Sequence, residues 1–330
     1  MTFVNNNKKW FSGLALAIVL IVVSTFFIKS QFVFNLMALI LIWSVNGMGW
    51  NVIGGYCGQV SNGHALYYGI GAYTVGILAQ KFGFLPWVSI PIGMILSAAI
   101  AFIIGKPLLR LQGHVFAIST MALAESVRII FNNWNWVGGA TGVFINNKKA
   151  PEWLALQFKD MRNYVYVYLA FAVLVLILIK YLDRSKFFYY LRTIKGNELA
   201  AESIGIDAPK YKNRAYMLSA AIVSLGGSMY AQFIRYIDPA TLLTLNVSMM
   251  IVLVAVMGGI GTVEGPILGA IIMQTISEYS RKYLGTFGGL DLVLYGVLVI
   301  LIVLFIPGGI LSIFKKKKPA EAAADTGERK

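Results

Sequence analysis

The sequence predicts an all-α membrane protein, a polytopic bundle of about ten transmembrane helices with some broken segments. Of its 330 residues, 58% are hydrophobic and only 13% are charged. The mean hydropathy of +0.72 is higher than a soluble domain of this size shows. Apolar windows of roughly 20 residues, enough to cross a hydrocarbon core about 30 Å thick, recur along the chain. These three observations place the chain in lipid.

Ten apolar windows, bounded by charged residues, Pro or Gly, give the helices in order. The first follows Lys8 and Lys9 and has the flanks of a signal peptide, but it is longer than the usual apolar core of one. No clear small-residue cleavage site follows it, so we expect an uncleaved first helix. The predicted segments are 11–28, 35–54, 62–80, 86–105, 114–134, 164–182, 214–235, 244–263, 265–284 and 290–311.

The basic residues predict which side of the membrane each connection occupies. Alternation from a cytoplasmic N-terminus puts Lys106, Arg110, the stretch 180–214 and the lysines at 315–318 on the cytoplasmic side, as the positive-inside rule requires. The lysines near both ends of the chain predict the same, cytoplasmic side, so we expect an even number of crossings. We therefore interpret the net charge of +14 as a topology signal and expect no nucleic-acid partner.

The predicted organisation is one transmembrane domain over 1–314, followed by a basic, disordered cytoplasmic tail at 315–330. Two connections within the domain are long. Residues 135–163 form an extracytoplasmic loop, near which aromatic residues resemble an interfacial belt. Residues 183–213 form a cytoplasmic loop.

A Gly-rich run at 54–64 lies between the second and third segments. Irregular backbone at membrane depth is tolerated only where protein or a water-filled cavity covers it, so such breaks tend to lie near a translocation path. The run supplies four candidate path residues, Gln59, Ser61, Asn62 and His64. For His64, hydrogen bonding within the broken segment is the alternative.

A second break, at 261–266, fits either a tight reversal or a broken helix. On a continuous helix, Gly261, Gly265 and Gly269 would form a smooth stripe for close packing within the subunit or at a dimer interface. If the chain reverses at Gly265, the same glycines serve the turn.

The fifth segment carries two ionisable residues, Glu125 and Arg128, which share a helix face at this spacing and can pair. Ionisable groups inside a membrane usually face protein or water and often mark a pathway. Glu125 is therefore a fifth path candidate. The alternative is a pair near the outer end, with Arg128 reaching the interface.

No pattern of catalytic or metal-binding residues is found in the membrane segments. They contain no paired carboxylates, no His and Cys cluster and no Ser, His and Asp set at useful spacing, so we expect neither an enzyme nor a metal site. Neither a dinucleotide-binding nor a P-loop glycine pattern occurs. Cys57, the one cysteine, allows no internal disulfide.

The cytoplasmic loop contains a short helical pattern, with Asn197 as its cap and Gly205 as its stop. Leu199, Ala200, Ser203 and Ile204 would make its surface small and mainly apolar, on a piece too short for a core of its own. A cytoplasmic partner with a groove for a short helix would cover this surface. A helix lying flat on lipid headgroups is the alternative.

Several linked motifs in one order resemble the LivM-like permeases of branched-chain amino acid importers, over nearly the whole chain. Gly55-Tyr56-Cys57-Gly58-Gln59-Val60-Ser61, Gly63-His64-Ala65 and Gly69-Ile70-Gly71-Ala72-Tyr73-Thr74 are similar to one stretch of that family. Gly258-Gly259-Ile260-Gly261-Thr262, Gly265-Pro266 and Gly269-Ala270 are similar to another, and the run 197–205 resembles its coupling region.

The resemblance implies an ABC importer permease fold and a docking role for the cytoplasmic loop. Importer permeases carry an EAAxxxG pattern there, which contacts the ATPase; here Leu199 stands at the Glu position and Glu198 lies one residue earlier. The residues expected to couple to the ATPase are Arg192, Gly196, Asn197, Glu198, Ala200, Ala201 and Gly205.

The same resemblance implies the partners. These are a homologous LivH-like permease, two ATP-binding subunits that carry ATP and Mg²⁺, and an extracytoplasmic substrate-binding protein, with no cofactor on this chain itself. The expected location is the bacterial cytoplasmic (inner) membrane, which the chain crosses several times. The expected substrates are leucine, isoleucine and valine, with urea, short amides or aromatic amino acids as alternatives. An ion-coupled carrier is disfavoured because intramembrane charges are sparse.

Overall fold

The computed structural model describes residues 8–146, 150–284, 293, 296–297, 300 and 309–311. The predicted tail at 315–330 and most of the tenth predicted segment lie outside these residues. The described elements are helices α1 (Lys8–Phe27), α2 (Gln31–Asn51), α3 (Ala65–Phe82), α4 (Pro86–Leu108), α5 (Gly113–Asn133), α6 (Glu152–Ala155), α7 (Met161–Asp183), α8 (Lys186–Gly196), α9 (Glu198–Ser203), α10 (Ala208–Ile234), α11 (Pro239–Leu242), α12 (Leu245–Gly258) and α13 (Gly265–Leu284), a π-helix (Val52–Tyr56), two 3₁₀ turns (Asn135–Val137 and Gly139–Thr141), and strands β1 (Val143–Phe144) and β2 (Tyr236–Ile237).

Within the described chain, seven helical spans are long and apolar enough to cross a membrane. The third and ninth predicted segments also form helices, α3 and α13, but neither is among these seven. Helix α3 is rich in Tyr and Gly, and α13 ends in charged residues. The all-α polytopic class is confirmed.

Several predicted boundaries are wrong, among them the end of the eighth segment, which lies at Gly258 and not at 263. The second helix ends at Asn51 and continues as a π-helix to Tyr56, and the third begins only at Ala65. The seventh begins six residues early, at Ala208, because the Asp207 side chain accepts a hydrogen bond from the amide of Lys210 and so caps it. The stretch 183–213 is therefore mostly helical, formed by α8, α9 and the start of α10.

Helix α10 is the centre of the bundle and packs against α2, α3 and α4. Its contact with α3 is backbone to backbone: a side chain at Gly71 would overlap the carbonyl of Ser224, and one at Gly227 would overlap the carbonyl of Tyr68. Small residues allow such an approach between membrane helices. The outside of the bundle stays apolar, since Ile95, Ile103 and Ile118 in α4 and α5 are exposed, as suits a lipid-facing surface.

Helices α12 and α13 are joined by a reversal at 259–264, which excludes the continuous helix that was one expectation for this region. Gly261 lies in the turn with φ +73°. Gly265 and Gly269 face α12, where a side chain at Gly269 would overlap the carbonyl of Val254. The two residues therefore serve close packing inside this subunit.

The two ends of the bundle differ. At the end predicted to be extracytoplasmic, β1 pairs with β2 in an antiparallel ribbon, so the predicted loop 135–163 is tied to the chain after α10. At the opposite end, Trp10, Lys180 and Glu264 meet. Those three residues belong to segments that alternation places on the cytoplasmic side, so their meeting agrees with the predicted topology.

Candidate coupling face and translocation path

The short helix predicted in the cytoplasmic segment is present as α9. The Asn197 side chain accepts a hydrogen bond from the amide of Ala200 at 3.1 Å, and Gly205 has φ +86° just after the helix. Such a backbone conformation favours glycine because it has no Cβ. The predicted cap and stop are therefore confirmed.

The surface of α9 is divided between a buried and an exposed side. Ala201 is fully buried and packs with Ile194 and Ile206 in a small core of its own. Leu199 and Ile204 are 76% and 72% exposed, and Ala200 is exposed between them. An apolar patch presented outward in this way is typical of an interaction site.

Glu198 points back into the permease. Its carboxylate pairs with the Lys212 ammonium at 2.5 Å, and the Lys212 side chain is 1% exposed. The glutamate therefore holds α9 against the first turns of α10, and its displacement by one position from the EAAxxxG pattern fits this structural role.

Removing this carboxylate is expected to destabilise the permease, because it leaves a buried ammonium without its partner. For Glu198→Ala we expect a loss of about 3 kcal/mol in the free energy of unfolding, the cost of breaking a buried ion pair. The measurement is the thermal midpoint of the purified chain in detergent. The double variant Glu198→Gln with Lys212→Met should recover most of the loss; no recovery would contradict the ion-pair explanation.

Arg192 and Gly196 have different surroundings. The Arg192 guanidinium pairs with Asp183 at the end of α7 and lies 5.2 Å from the ring centre of Tyr56, so it joins α8 to the membrane break. A side chain at Gly196 would meet nothing within 4 Å.

The break at 57–64 lies against the end of α2, and other parts of the protein supply hydrogen-bond partners for its backbone groups. The indole of Trp50 donates to the carbonyl of Ser61 at 2.7 Å, and the amide of Asn62 donates to the Thr120 hydroxyl at 3.1 Å. The amide of Ala65 donates to the Ser248 hydroxyl at 2.9 Å. This is the condition for irregular backbone at membrane depth.

Two of the five path candidates lie together. Asn62 and Glu125 line a cavity of about 290 Å³, with Ser248 and a wall of apolar residues from α5 and α12. Arg128 donates to the Glu125 carboxylate at 2.5–3.0 Å, as predicted from their spacing. The remaining walls are Ile118, Met121, Ala122, Ala124, Leu243 and Leu245.

The other three candidates lie outside this cavity. His64 and Ser61 are fully buried, and His64 Nε2 bonds to the Ser219 hydroxyl at 2.8 Å. Gln59 is half-buried, and its backbone N–H donates to the carbonyl of Ile53. For His64, hydrogen bonding is thus the observed state: Nε2 has its partner on α10, and a backbone group of Ser61, in the broken segment, is a second partner.

A larger cavity, which the sequence reasoning missed, opens near the predicted extracytoplasmic end. It has a volume of about 700 Å³ and lies between α2, α10, α12 and α13. Gln274, Ser277, Glu278 and Arg281 line it from α13, and they are spaced as one face of a helix. The spacing of these four polar residues is the sequence signal that could have predicted this face. Apolar residues such as Trp43 and Leu253 complete the lining.

Comparison with known proteins decides the family. The sequence profile of the family described as branched-chain amino acid transport system / permease component matches residues 32–303, most of the chain. This chain belongs to that family. The match begins after α1 and includes the residues that line both cavities. It also includes all of residues 183–213, named the coupling segment from here on. The chain is thus a multi-pass membrane permease.

Curated relatives in the permease family agree. LivM, the high-affinity branched-chain amino acid transport system permease protein of Escherichia coli K12, is 27% identical over 95% of this chain and 78% of its own. A probable LivM of Methanocaldococcus jannaschii is 26% identical over 74% of this chain and 78% of its own. LivH of Salmonella typhimurium is 24% identical over 85% of this chain and 94% of its own. The resemblance to LivM-like permeases is confirmed.

One solved structure, PsaBC from Streptococcus pneumoniae in complex with Fab, aligns with 87% of this chain and 96% of its own. The TM-score is 0.47 and the identity 16%, a similarity too weak to support any inference about this chain.

Proposed function

We propose that this chain is one permease subunit of an ATP-driven importer that carries leucine, isoleucine and valine across the bacterial cytoplasmic membrane. The observation that carries the proposal is the family match over residues 32–303, together with relatives whose names specify branched-chain amino acid transport. The chain itself is a transport subunit and performs no catalysis in this proposal. ATP and Mg²⁺ bind to partner chains.

The partners follow from the same reasoning. LivM and LivH relatives both align with this chain, which supports a second, homologous permease as its neighbour. The exposed apolar side of α9, at the predicted cytoplasmic end, supports docking of one of the two ATP-binding subunits on this chain. An extracytoplasmic binding protein supplies the substrate at the opposite end.

The smaller cavity suits a zwitterion with an apolar side chain. Asn62 and Ser248 offer neutral hydrogen-bonding groups, Glu125 offers a carboxylate that is paired with Arg128, and the remaining lining is apolar. Irregular backbone next to a cavity is a common element of transport paths. We therefore place this cavity on the path, and the larger one on the side where substrate arrives.

The test is uptake of labelled leucine in cells with and without this gene, with unlabelled valine, urea and phenylalanine as competitors. We expect the deletion to lose ATP-dependent uptake, a plasmid copy to restore it, and valine alone to compete. Unchanged leucine uptake in the deletion would contradict the proposed substrate. Loss of leucine uptake with competition by urea or phenylalanine would contradict a restriction to branched-chain amino acids and would add those solutes to the substrates.

A further inference from the structure

Lys195, in the last turn of α8, reaches from the coupling segment to the membrane break. Its ammonium donates to the carbonyl of Gly55, in the π-helix, at 2.8 Å. Its side-chain stem lies on Gly58, where a Cβ would come within 2.9 Å of the Lys195 Cγ. A π-helix leaves carbonyls without their regular partners, and an ammonium makes a strong replacement donor.

The same carbonyl lies against the 259–264 reversal. A side chain at Gly261 would come within 3.2 Å of the Gly55 carbonyl oxygen and within 3.9 Å of the Lys195 ammonium. Asn51, one turn earlier in α2, holds the reversal by two hydrogen bonds: its side chain accepts from the amide of Gly261 at 2.8 Å and donates to the carbonyl of Thr262 at 2.7 Å. Together, Lys195, Asn51, Gly55, Gly261 and Thr262 form a junction between the coupling segment and the reversal.

The reversal is also fixed from its other side. The Glu264 carboxylate accepts from the Trp10 indole at 2.6 Å and pairs with the Lys180 ammonium at 3.2 Å. Burial alone would raise the pKa of Glu264, but the indole hydrogen bond and the Lys180 charge outweigh it and lower the pKa. Glu264 therefore stays ionised, and the reversal is tied to α1 and α7 as well as to α2.

The two helices that the reversal joins both contribute walls to the cavities. Helix α12 contributes to both cavities, on opposite faces, and α13 contributes to the larger one. A displacement of the reversal would therefore move walls of both cavities. The packed helices transmit it because their close contacts at Gly265 and Gly269 leave no space between α12 and α13.

At the other end of the link, α9 starts three residues after Lys195. It is packed on α8 through Ala201 and Ile194, so a partner that displaces α9 also displaces the Lys195 backbone. We infer that Lys195 is a positioning residue that carries movement of the docking helix α9 to the 259–264 reversal, and so couples ATP hydrolysis to the shape of the cavities. This inference rests on the proposed function.

The test uses the complete importer, with its binding protein, in proteoliposomes. ATP hydrolysis and leucine uptake are measured together, and the result is the number of leucine molecules carried per ATP. Lys195→Met keeps the length of the stem and removes the donor. We expect hydrolysis to persist and the leucine-to-ATP ratio to fall about tenfold, the effect of losing one hydrogen bond to a charged group. Lys195→Arg keeps a donor and should restore most of the ratio.

The control is Lys186→Met, which removes an exposed lysine at the far end of the same helix and should leave the ratio unchanged. Asn51→Ala breaks the junction from α2 without altering the coupling segment, and we expect it to lower the ratio as well. If Lys195→Met fails to assemble, the leucine-to-ATP ratio of Asn51→Ala still tests the junction.

A normal ratio in Lys195→Met or in Asn51→Ala overturns the inference. Equal losses of hydrolysis and uptake in Lys195→Met overturn it too, because they indicate a structural defect alone. If the wild-type importer shows no ATP-driven leucine uptake, the proposed function fails instead, and this result is read before any variant is compared.

Discussion

Leu199→Asp is expected to stop ATP-driven uptake while the permease stays folded. The side chain is 76% exposed on α9, so in the isolated permease a carboxylate there is solvated and costs little. In the proposed complex the same position lies against an ATP-binding subunit, where an unpaired charge would be buried at high cost. We expect uptake to fall by more than about tenfold, the effect of losing a central interface residue.

Two measurements separate docking from folding in this variant. The first is the amount of ATP-binding subunit that copurifies with the permease, which should fall together with uptake. The second is the thermal midpoint of the permease alone, which should stay at the wild-type value. Glu202→Ala is the matched control, since Glu202 is an exposed residue of the same helix. Normal copurification in Leu199→Asp would show that α9 lies on lipid headgroups or elsewhere.

Gly227→Leu is expected to prevent the permease from folding. A side chain at Gly227 would overlap the carbonyl of Tyr68, which belongs to the backbone of α3 and has no freedom to rotate away. Overpacking of a core by a flexible neighbour costs roughly 1–3 kcal/mol, and overlap with a helix backbone costs more. Because α10 is the centre of the bundle, separating it from α3 would also loosen the contacts of both helices with α4.

The measurement for this variant is the yield of monodisperse protein in detergent and its thermal midpoint. Gly13→Leu is the control, because Gly13 is also a glycine within a membrane helix, α1, but a Cβ added there would meet nothing within 4 Å. We expect the control to match the wild type. A well-folded Gly227→Leu protein would mean that α3 and α10 can separate without loss, which would contradict the close packing of their backbones.

The coupling segment shows how far local sequence patterns reach. Asn197 and Gly205 were correctly predicted as cap and stop, because both effects depend on a few neighbouring residues. The role of Glu198 was not predictable in this way. Its partner, Lys212, lies 14 positions later on another helix, and only the packing of α9 on α10 brings the two charges together.

The path candidates show the same division. The spacing of Glu125 and Arg128 predicted their ion pair, since residues three apart share a helix face. For the candidates in the first break, the sequence did not predict which side chains would reach a cavity. Asn62 lines one, whereas His64 bonds to Ser219 on α10. Which way each side chain of an irregular segment points depends on the helices that cover it, and the local sequence carries no record of them.

By itself, the sequence determined the membrane class, the order of the helices, the short helix at 198–203 and the family resemblance, and it predicted the sidedness. These follow from hydropathy, charge and capping, which act over a few residues, and from linked motifs. Only the tertiary structure decided that the chain reverses at 259–264 and that Lys195 meets Gly55, 140 positions away. The reversal and the junction are set by contacts between helices far apart in the sequence, which no local pattern encodes.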